Sequence, residues 1–205
     1  MIAIIDYGVG NLRSVEKAFT YLGRRAVVTS DPEIVRGADR VVLPGVGAFG
    51  KSMESLARAG MVQVVKEVVA SGRPFLGICL GLQMLFEESA EVFGPETTRV
   101  KGLGIIPGQV LRFNSKRLKV PQIGWNQIRI KKDSPILHGI ENESFVYFVH
   151  SYYVKPANTE VIACATNYEI DYCSGINQEN IYAFQFHPEK SSSVGLKILK
   201  NFAEL

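Results

Sequence analysis

Cys79 stands in Gly77-Ile78-Cys79-Leu80-Gly81, with a glycine two residues away on either side. A nucleophile flanked in this way, where a strand turns sharply into a helix, has the elbow pattern, here with sulfur in place of the usual hydroxyl. Small neighbours admit close backbone approach, and the turn presents the side chain in strained, exposed geometry. A free thiol has a pKa of about 8.5, and the positive end of a helix starting at Leu80 favours the thiolate. The competing reading is a small cysteine packed in a core. A second reactive set lies near the other end of the chain, in His187-Pro188-Glu189-Lys190-Ser191. In extended backbone, residues i and i+2 point the same way, so His187 and Glu189 are expected to share one side. A carboxylate beside an imidazole selects its tautomer and stabilises the imidazolium. The expected set is therefore Cys79 as nucleophile, His187 as base and Glu189 as the orienting acid. His150 is a further imidazole at a strand end, with an expected role that is chiefly architectural.

Residues so distant in sequence meet only if the intervening elements bring them together. Strands and helices alternate through the first half of the chain. Strands are predicted at Ile2–Asp6, Ala26–Thr29, Arg40–Leu43 and Pro74–Ile78, from short apolar runs bounded by turn residues. Asn11 is placed to cap a helix with apolar face Leu12, Val15, Phe19 and Leu22, ended by Gly23. Asp31-Pro32 reads as a cap followed by proline at the first helical position. Further helices are expected at Lys51–Arg58, Met61–Ala70, Leu80–Glu88 and Val194–Ala203. The second half is strand-rich, with predicted strands at Gly108–Phe113, Gln127–Lys131, Phe145–His150, Glu160–Ala165 and Ile181–Phe186. Phe93–Gly104 is expected to be the least ordered stretch. This rhythm argues for an α/β fold, an open and mainly parallel sheet flanked by helices.

In such sheets, sites form outside the carboxyl ends of the strands. Pro44-Gly45-Val46-Gly47 follows one such end and Cys79 follows another. Backbone N–H groups around Val46 and Gly47, with that of Leu80, have the makings of an oxyanion hole, although without Cys79 a plain Pro-Gly turn would be the preferred reading of this loop. Gly8-Val9-Gly10 is a poor nucleotide-binding signal, because Arg13 stands where a third glycine belongs.

Composition narrows the classes. The 205 residues carry a formal charge of +3, with 46% hydrophobic and 21% charged residues, ordinary for a globular chain. No basic stripe suits nucleic acid, and Lys116-Arg117-Leu118-Lys119 reads as a solvated loop. Three cysteines make no disulfide framework, and none has metal-ligand spacing, so no metal and no cofactor are expected. Cys164 reads as core, and Cys173 as a bystander in a turn-rich stretch. The amino-terminal segment lacks signal-peptide features, and no apolar run approaches the ~18 residues of a membrane span. A cytoplasmic setting is expected, which suits a free thiol.

Taken together, Gly77-Ile78-Cys79-Leu80-Gly81-Leu82-Gln83, Pro44-Gly45-Val46-Gly47 and Phe184-Gln185-Phe186-His187-Pro188-Glu189 resemble the class I glutamine amidotransferases. The likeness runs through Asp6-Tyr7-Gly8-Val9-Gly10-Asn11, Gly124-Trp125-Asn126 and Tyr147-Phe148-Val149-His150-Ser151-Tyr152, and so covers the chain as one domain, 1–205. The resemblance implies hydrolysis of L-glutamine through a cysteine thioester, with the oxyanion held by Val46, Gly47 and Leu80. It assigns substrate binding to Gly45, Gln83, Ser151 and Tyr152. It also implies a heterodimer in which ammonia passes to a (β/α)8 cyclase subunit, with Asn11, Trp125, Tyr147 and Lys190 at the contact. Core packing is the alternative for the two aromatics. Gln122-Ile123 depart from the His-Met common in related chains. The open alternatives are an amidotransferase subunit serving another synthase, in surface-sugar amidation or vitamin B6 synthesis, a non-catalytic interaction protein of the same fold, and a thiol peptidase or γ-glutamyl hydrolase acting alone.

Overall fold

Alternate residues of each central strand face opposite sides of the sheet, and both sides are apolar. In the computed structural model, which describes residues 1–91 and 99–205, this produces a sheet with helices on each face. The chain opens with β1 (Ile2–Ile5), α1 (Leu12–Tyr21), β2 (Ala26–Thr29), α2 (Pro32–Arg36), β3 (Arg40–Gly45), α3 (Phe49–Arg58), α4 (Met61–Ala70) and β4 (Phe75–Cys79). Ala3, Ile5, Val41 and Leu43 pack with Val35, Leu56, Val64 and Val68 of α2, α3 and α4. Ile2, Ile4, Val42 and Leu76 pack on the other face with Val15 and Phe19 of α1 and with Ile198, Leu199 and Phe202 of the last helix. Local punctuation matches the expectation in two places. The Asp31 carboxylate accepts the Glu33 N–H at 2.8 Å at the start of α2, and Gly23 leaves α1 with φ +70°. Asn11 occupies the cap position of α1, but its side chain accepts the Ser14 hydroxyl instead of a backbone N–H.

The remaining elements are α5 (Leu80–Met84), β5 (Phe86–Ser89), β6 (Val100–Lys101), β7 (Ile106–Arg112), β8 (Gln122–Gln127), β9 (Arg129–Ile130), β10 (Phe145–His150), β11 (Tyr152–Pro156), β12 (Ile162–Tyr168), β13 (Ile170–Gln178), β14 (Ile181–Phe184) and α6 (Ser192–Glu204). The main sheet runs β2-β1-β3-β4-β14-β13-β11-β7-β5-β6. It is parallel from β2 to β14 and mostly antiparallel beyond. The sheet is thus mixed: its parallel half is the one the alternating elements predict. Strands β8 and β10 form a separate two-stranded ribbon.

Several boundaries differ from expectation. The elbow helix stops at Met84, and Phe86–Ser89 is a strand pairing with β7; apolar residues at 82, 84, 85 and 86 suit a buried strand as well as a buried helix. The predicted strand at Gln127–Lys131 is resolved into the end of β8 and the two-residue β9. Thr159–Val161 is a 3₁₀ turn, where the Asn158 side chain accepts the Glu160 N–H, and β12 runs on to Tyr168. Strands β11 and β13 were not anticipated. Cys173 therefore lies buried in β13, not in a turn, with burial pushing its thiol pKa well up. Cys164 is core, as expected, its thiol pushed up to about 12 by burial. Half of the stretch expected to be least ordered, 93–98, lies outside the described residues, while Val100–Lys101 pairs with β5.

Candidate active site

Three neighbouring parallel strands end together. Gly45 of β3 is in register with Cys79 of β4, and Ile78 of β4 with Phe184 of β14. Their carboxyl ends bring the Pro44–Gly47 loop, the thiol and the His187 segment to one cavity of about 360 Å³, lined among others by Val46, Gly47, Cys79, Leu80, His150 and His187. Cys79 has φ +54° and ψ −109°, a conformation that costs a side-chain-bearing residue on the order of 1–3 kcal/mol. The flanking glycines are required by close packing. A Cβ on Gly81 would sit 1.9 Å from the Leu43 carbonyl oxygen, and one on Gly77 would sit 3.0 Å from the Ala183 Cβ.

His187 lies beyond the end of β14, with Pro188–Lys190 forming a 3₁₀ turn after it. That turn, and not the i/i+2 geometry of a strand, swings the Glu189 carboxylate onto the imidazole, with Nδ1 and Oε1 2.8 Å apart. Both side chains are almost fully buried. Burial alone would lower the pKa of His187; Cys79 and Glu189 together outweigh it and raise it to about 10. The imidazole is thus held in its charged form, and its Nε2 has no hydrogen-bond partner among the described residues, leaving it available to the thiol side. The His187 backbone is anchored on both sides: its N–H donates to the Tyr147 carbonyl at 2.9 Å and its carbonyl accepts the Ser191 hydroxyl.

Helix α5 has only five residues, so its dipole at the sulfur is weaker than a longer elbow helix would supply. A group that sequence reasoning missed stands closer. Gln185, wholly buried between Phe184 and Phe186, points its side-chain Nε2 at Cys79 Sγ at 3.7 Å and accepts the Gln83 amide on its Oε1 at 2.9 Å. A polar residue inside that aromatic run was the available signal. The Val149 carbonyl lies 3.9 Å from the sulfur on the ribbon side.

Gln83, Ser151 and Tyr152 line the cavity as expected. Gln83 Nε2 is committed to the Tyr152 carbonyl at 3.1 Å and to Gln185, which leaves its Oε1 as the group free to accept from a ligand. The Tyr152 carbonyl also takes His150 Nδ1, so both its lone pairs are engaged, while that of Ser151 takes the Phe113 N–H. Gly45 is buried beneath the loop rather than in the cavity wall. Glu91 was not anticipated. Its carboxylate reaches the cavity while Oε2 accepts the Phe49 N–H at the start of α3, and burial raises its pKa.

On the ribbon, Val146, Phe148 and His150 turn inward, while Trp125, Ile123 and Phe145 remain exposed, Trp125 by 52%. Trp125 is therefore not a core residue. It packs edge-on to half-buried Tyr147, its partner in register, with Lys190 Nζ 5.8 Å above the tyrosine ring. Asn11 accepts the Ser14 hydroxyl at the start of α1, the helix that packs against the Pro188–Lys190 turn.

The family model for glutamine amidotransferase class-I matches residues 3–205. The chain is 52% identical over 211 residues, covering all of both, to the imidazole glycerol phosphate synthase subunit HisH of Syntrophotalea carbinolica. It is 51% identical over 205 residues to the HisH subunit of Methanothermobacter thermautotrophicus, covering 100% of this chain and 98% of the other. A crystal structure of a glutamine amidotransferase superposes over the full length of both chains with a TM-score of 0.75 at 20% identity, which speaks for the fold.

Proposed function

This chain belongs to the glutamine amidotransferase class-I family, and on that premise we propose that it is the glutaminase subunit of an imidazole glycerol phosphate synthase. The observation that carries the chemistry is the cavity where Cys79 and a charged, Glu189-paired His187 face each other at adjoining strand ends. The Cys79 thiolate attacks the side-chain amide carbon of glutamine. The negative charge that develops on the carbonyl oxygen falls to the N–H groups of the Val46–Gly47 loop and of Leu80, whose N–H at a helix start has no intrahelical acceptor. His187, oriented by Glu189, passes its proton to the departing nitrogen, releasing ammonia and a γ-glutamyl thioester. It then takes a proton from the water that cleaves the thioester, giving glutamate and the free thiol. Glu91, with the Oε1 of Gln83, suits the ammonium group of the substrate.

Ammonia is protonated readily in water and then ceases to be a nucleophile, so it needs a sheltered acceptor. The acceptor in this reading is a HisF-type (β/α)8 cyclase, which uses it to convert PRFAR to imidazole glycerol phosphate and AICAR in the cytoplasm, during L-histidine biosynthesis. The exposed aromatic face of the β8–β10 ribbon, with Lys190, supports a contact surface there, since aromatics are enriched at interfaces and charged groups at their rims.

A glutamine-analogue electrophile should place one covalent label on Cys79, and none on Cys79→Ala. Absence of label, even with the cyclase present, would leave a non-catalytic interaction protein. Glutamine turnover should be low for the isolated chain and rise strongly with the cyclase and its ligand. Full activity in isolation, or rapid cleavage of γ-glutamyl peptides, would return the reading to a hydrolase acting alone. Trp125→Ala should leave basal turnover intact and weaken cyclase binding roughly 30-fold, corresponding to a hot-spot loss of about 2 kcal/mol.

A further inference from the structure

The loop that carries the oxyanion donors is gripped from behind. Tyr7, buried just after β1, donates its phenol hydrogen to the Pro44 carbonyl at 2.9 Å. Ser52, buried on α3, directs its hydroxyl to the Val46 carbonyl at a longer 3.5 Å. Neither side chain lines the cavity, whereas Val46 and Gly47 do. In a trans peptide the C=O and the following N–H point in opposite directions. A Val46 carbonyl held by Ser52 therefore turns the Gly47 N–H away from Ser52, while a Pro44 carbonyl held by Tyr7 fixes the Gly45 peptide plane from which the Val46 N–H follows.

Packing fixes only one end of this loop. A Cβ on Gly45 would lie 2.8 Å from Leu80 Cβ, 2.9 Å from the Gly81 nitrogen and 2.9 Å from the Tyr7 hydroxyl, so that residue is wedged between elbow and phenol. Gly47, at φ +88°, has nothing within 4 Å of its Cβ position. Packing against the Gly47 Cβ position thus does not hold this end of the loop, and the Ser52 hydroxyl behind the Val46 carbonyl is the side-chain contact that orients the Val46–Gly47 peptide. Burial raises the pKa of the Tyr7 phenol well above its ordinary value, with Ser52 pulling it back a little and Cys79 adding to the rise, so the hydroxyl remains a donor at neutral and alkaline pH.

We propose that Tyr7 and Ser52 are positioning residues, a buried clasp that aims the peptides of the Pro44–Gly47 loop for stabilisation of the oxyanion. The proposal rests on the glutaminase reading and adds to it two residues that touch neither substrate nor thiol. Removing an oxyanion donor outright costs about 10²–10³ in rate; loosening its aim costs less. Tyr7→Phe, which keeps the ring, should lower kcat for glutamine hydrolysis about 10-fold with KM within about twofold, and Ser52→Ala should lower it about threefold. Alkylation of Cys79 by iodoacetamide builds no oxyanion and should proceed at the wild-type rate in both. Because both substitutions act on one loop, the double variant should fall little below Tyr7→Phe. Unchanged kcat, alkylation slowing in step with turnover, or fully multiplicative losses would each overturn the clasp. Those outcomes in an active wild type leave the glutaminase reading standing; a wild type that hydrolyses no glutamine with or without a cyclase overturns both.

Discussion

His187, beyond the end of β14 in the main sheet, and His150, at the end of the separate β8–β10 ribbon, face one cavity, both buried, and their surroundings hold them in opposite states. His150 ends β10 among Phe113, Phe148 and Tyr172, with ring centroids 5.4, 5.6 and 5.5 Å away. Its hydrogen bonds go to neutral partners, the Tyr152 carbonyl and the Tyr172 hydroxyl. Burial lowers its pKa to about 4, the Tyr152 carbonyl pulling weakly the other way and the His187 charge adding to the fall. His187 suffers the same desolvation but gains Cys79 and Glu189, and ends at about 10. Proximity to a cavity does not make a catalytic imidazole. What separates the two is whether a charged partner came into the interior with the ring.

The most direct way to break this contrast is to remove that partner. Glu189→Gln keeps the shape and deletes the charge, so glutamine turnover should fall about 10²–10⁴-fold, as when the acid of a comparable triad is neutralised. The His187 pKa, followed by NMR, should drop toward 6.5. A variant with near-wild-type turnover would show that the carboxylate only packs.

A milder test reads both rings at once through stability against pH. Between 6.5 and about 4, the unfolded chain binds a proton at His150 that the folded chain refuses, so stability falls as pH drops through that window. Between 6.5 and about 10, the folded chain keeps a proton on His187 that the unfolded chain loses, so stability falls as pH rises. Thermal unfolding from pH 4 to 10 should give a dome. His150→Asn should flatten the acid limb alone, and His187→Asn the alkaline limb alone. Limbs that survive both changes would assign them to other groups.

The smallest effect sharpens the comparison from the other side. His150→Asn at pH 7 should cost about 1–3 kcal/mol of stability through the Tyr172 hydrogen bond it forfeits, while turnover should change by less than about 10-fold. A loss matching that of Glu189→Gln would make His150 a participant in the chemistry.

Legibility in the sequence followed the range of the forces involved. The cap at Asp31, the stop at Gly23 and the helix Met61–Ala70 were readable because each depends on residues within a turn or two. The run from Leu80 to Glu88 misled, because its continuous apolar residues satisfy the periods of helix and strand alike, and pairing with β7 decided between them. The strands at Tyr152–Pro156 and Ile170–Gln178 were hidden for a related reason. Polar and small residues such as Asp171, Ser174 and Gly175 make β13 look like a turn until β12 and β14 supply its ladders.

At the candidate site the division falls in the same place. Gly-x-Cys-x-Gly announces an elbow because the sharp turn at Cys79 acts across a handful of bonds, whereas the approach to Leu43 of β3 that demands glycine at 81 is a tertiary contact. The pairing of His187 with Glu189 was also foreseeable, although a 3₁₀ turn achieves it where extended backbone was expected. Only the folded sheet brought Gly45, Cys79 and the end of β14 side by side, turned Gln185 toward the sulfur, and set Glu91 against the start of α3, 42 residues away in sequence. It also settled which imidazole carries charge. Turns and caps are written in neighbouring residues, whereas strand partners, burial and the local dielectric arise from segments that meet only after the chain has folded.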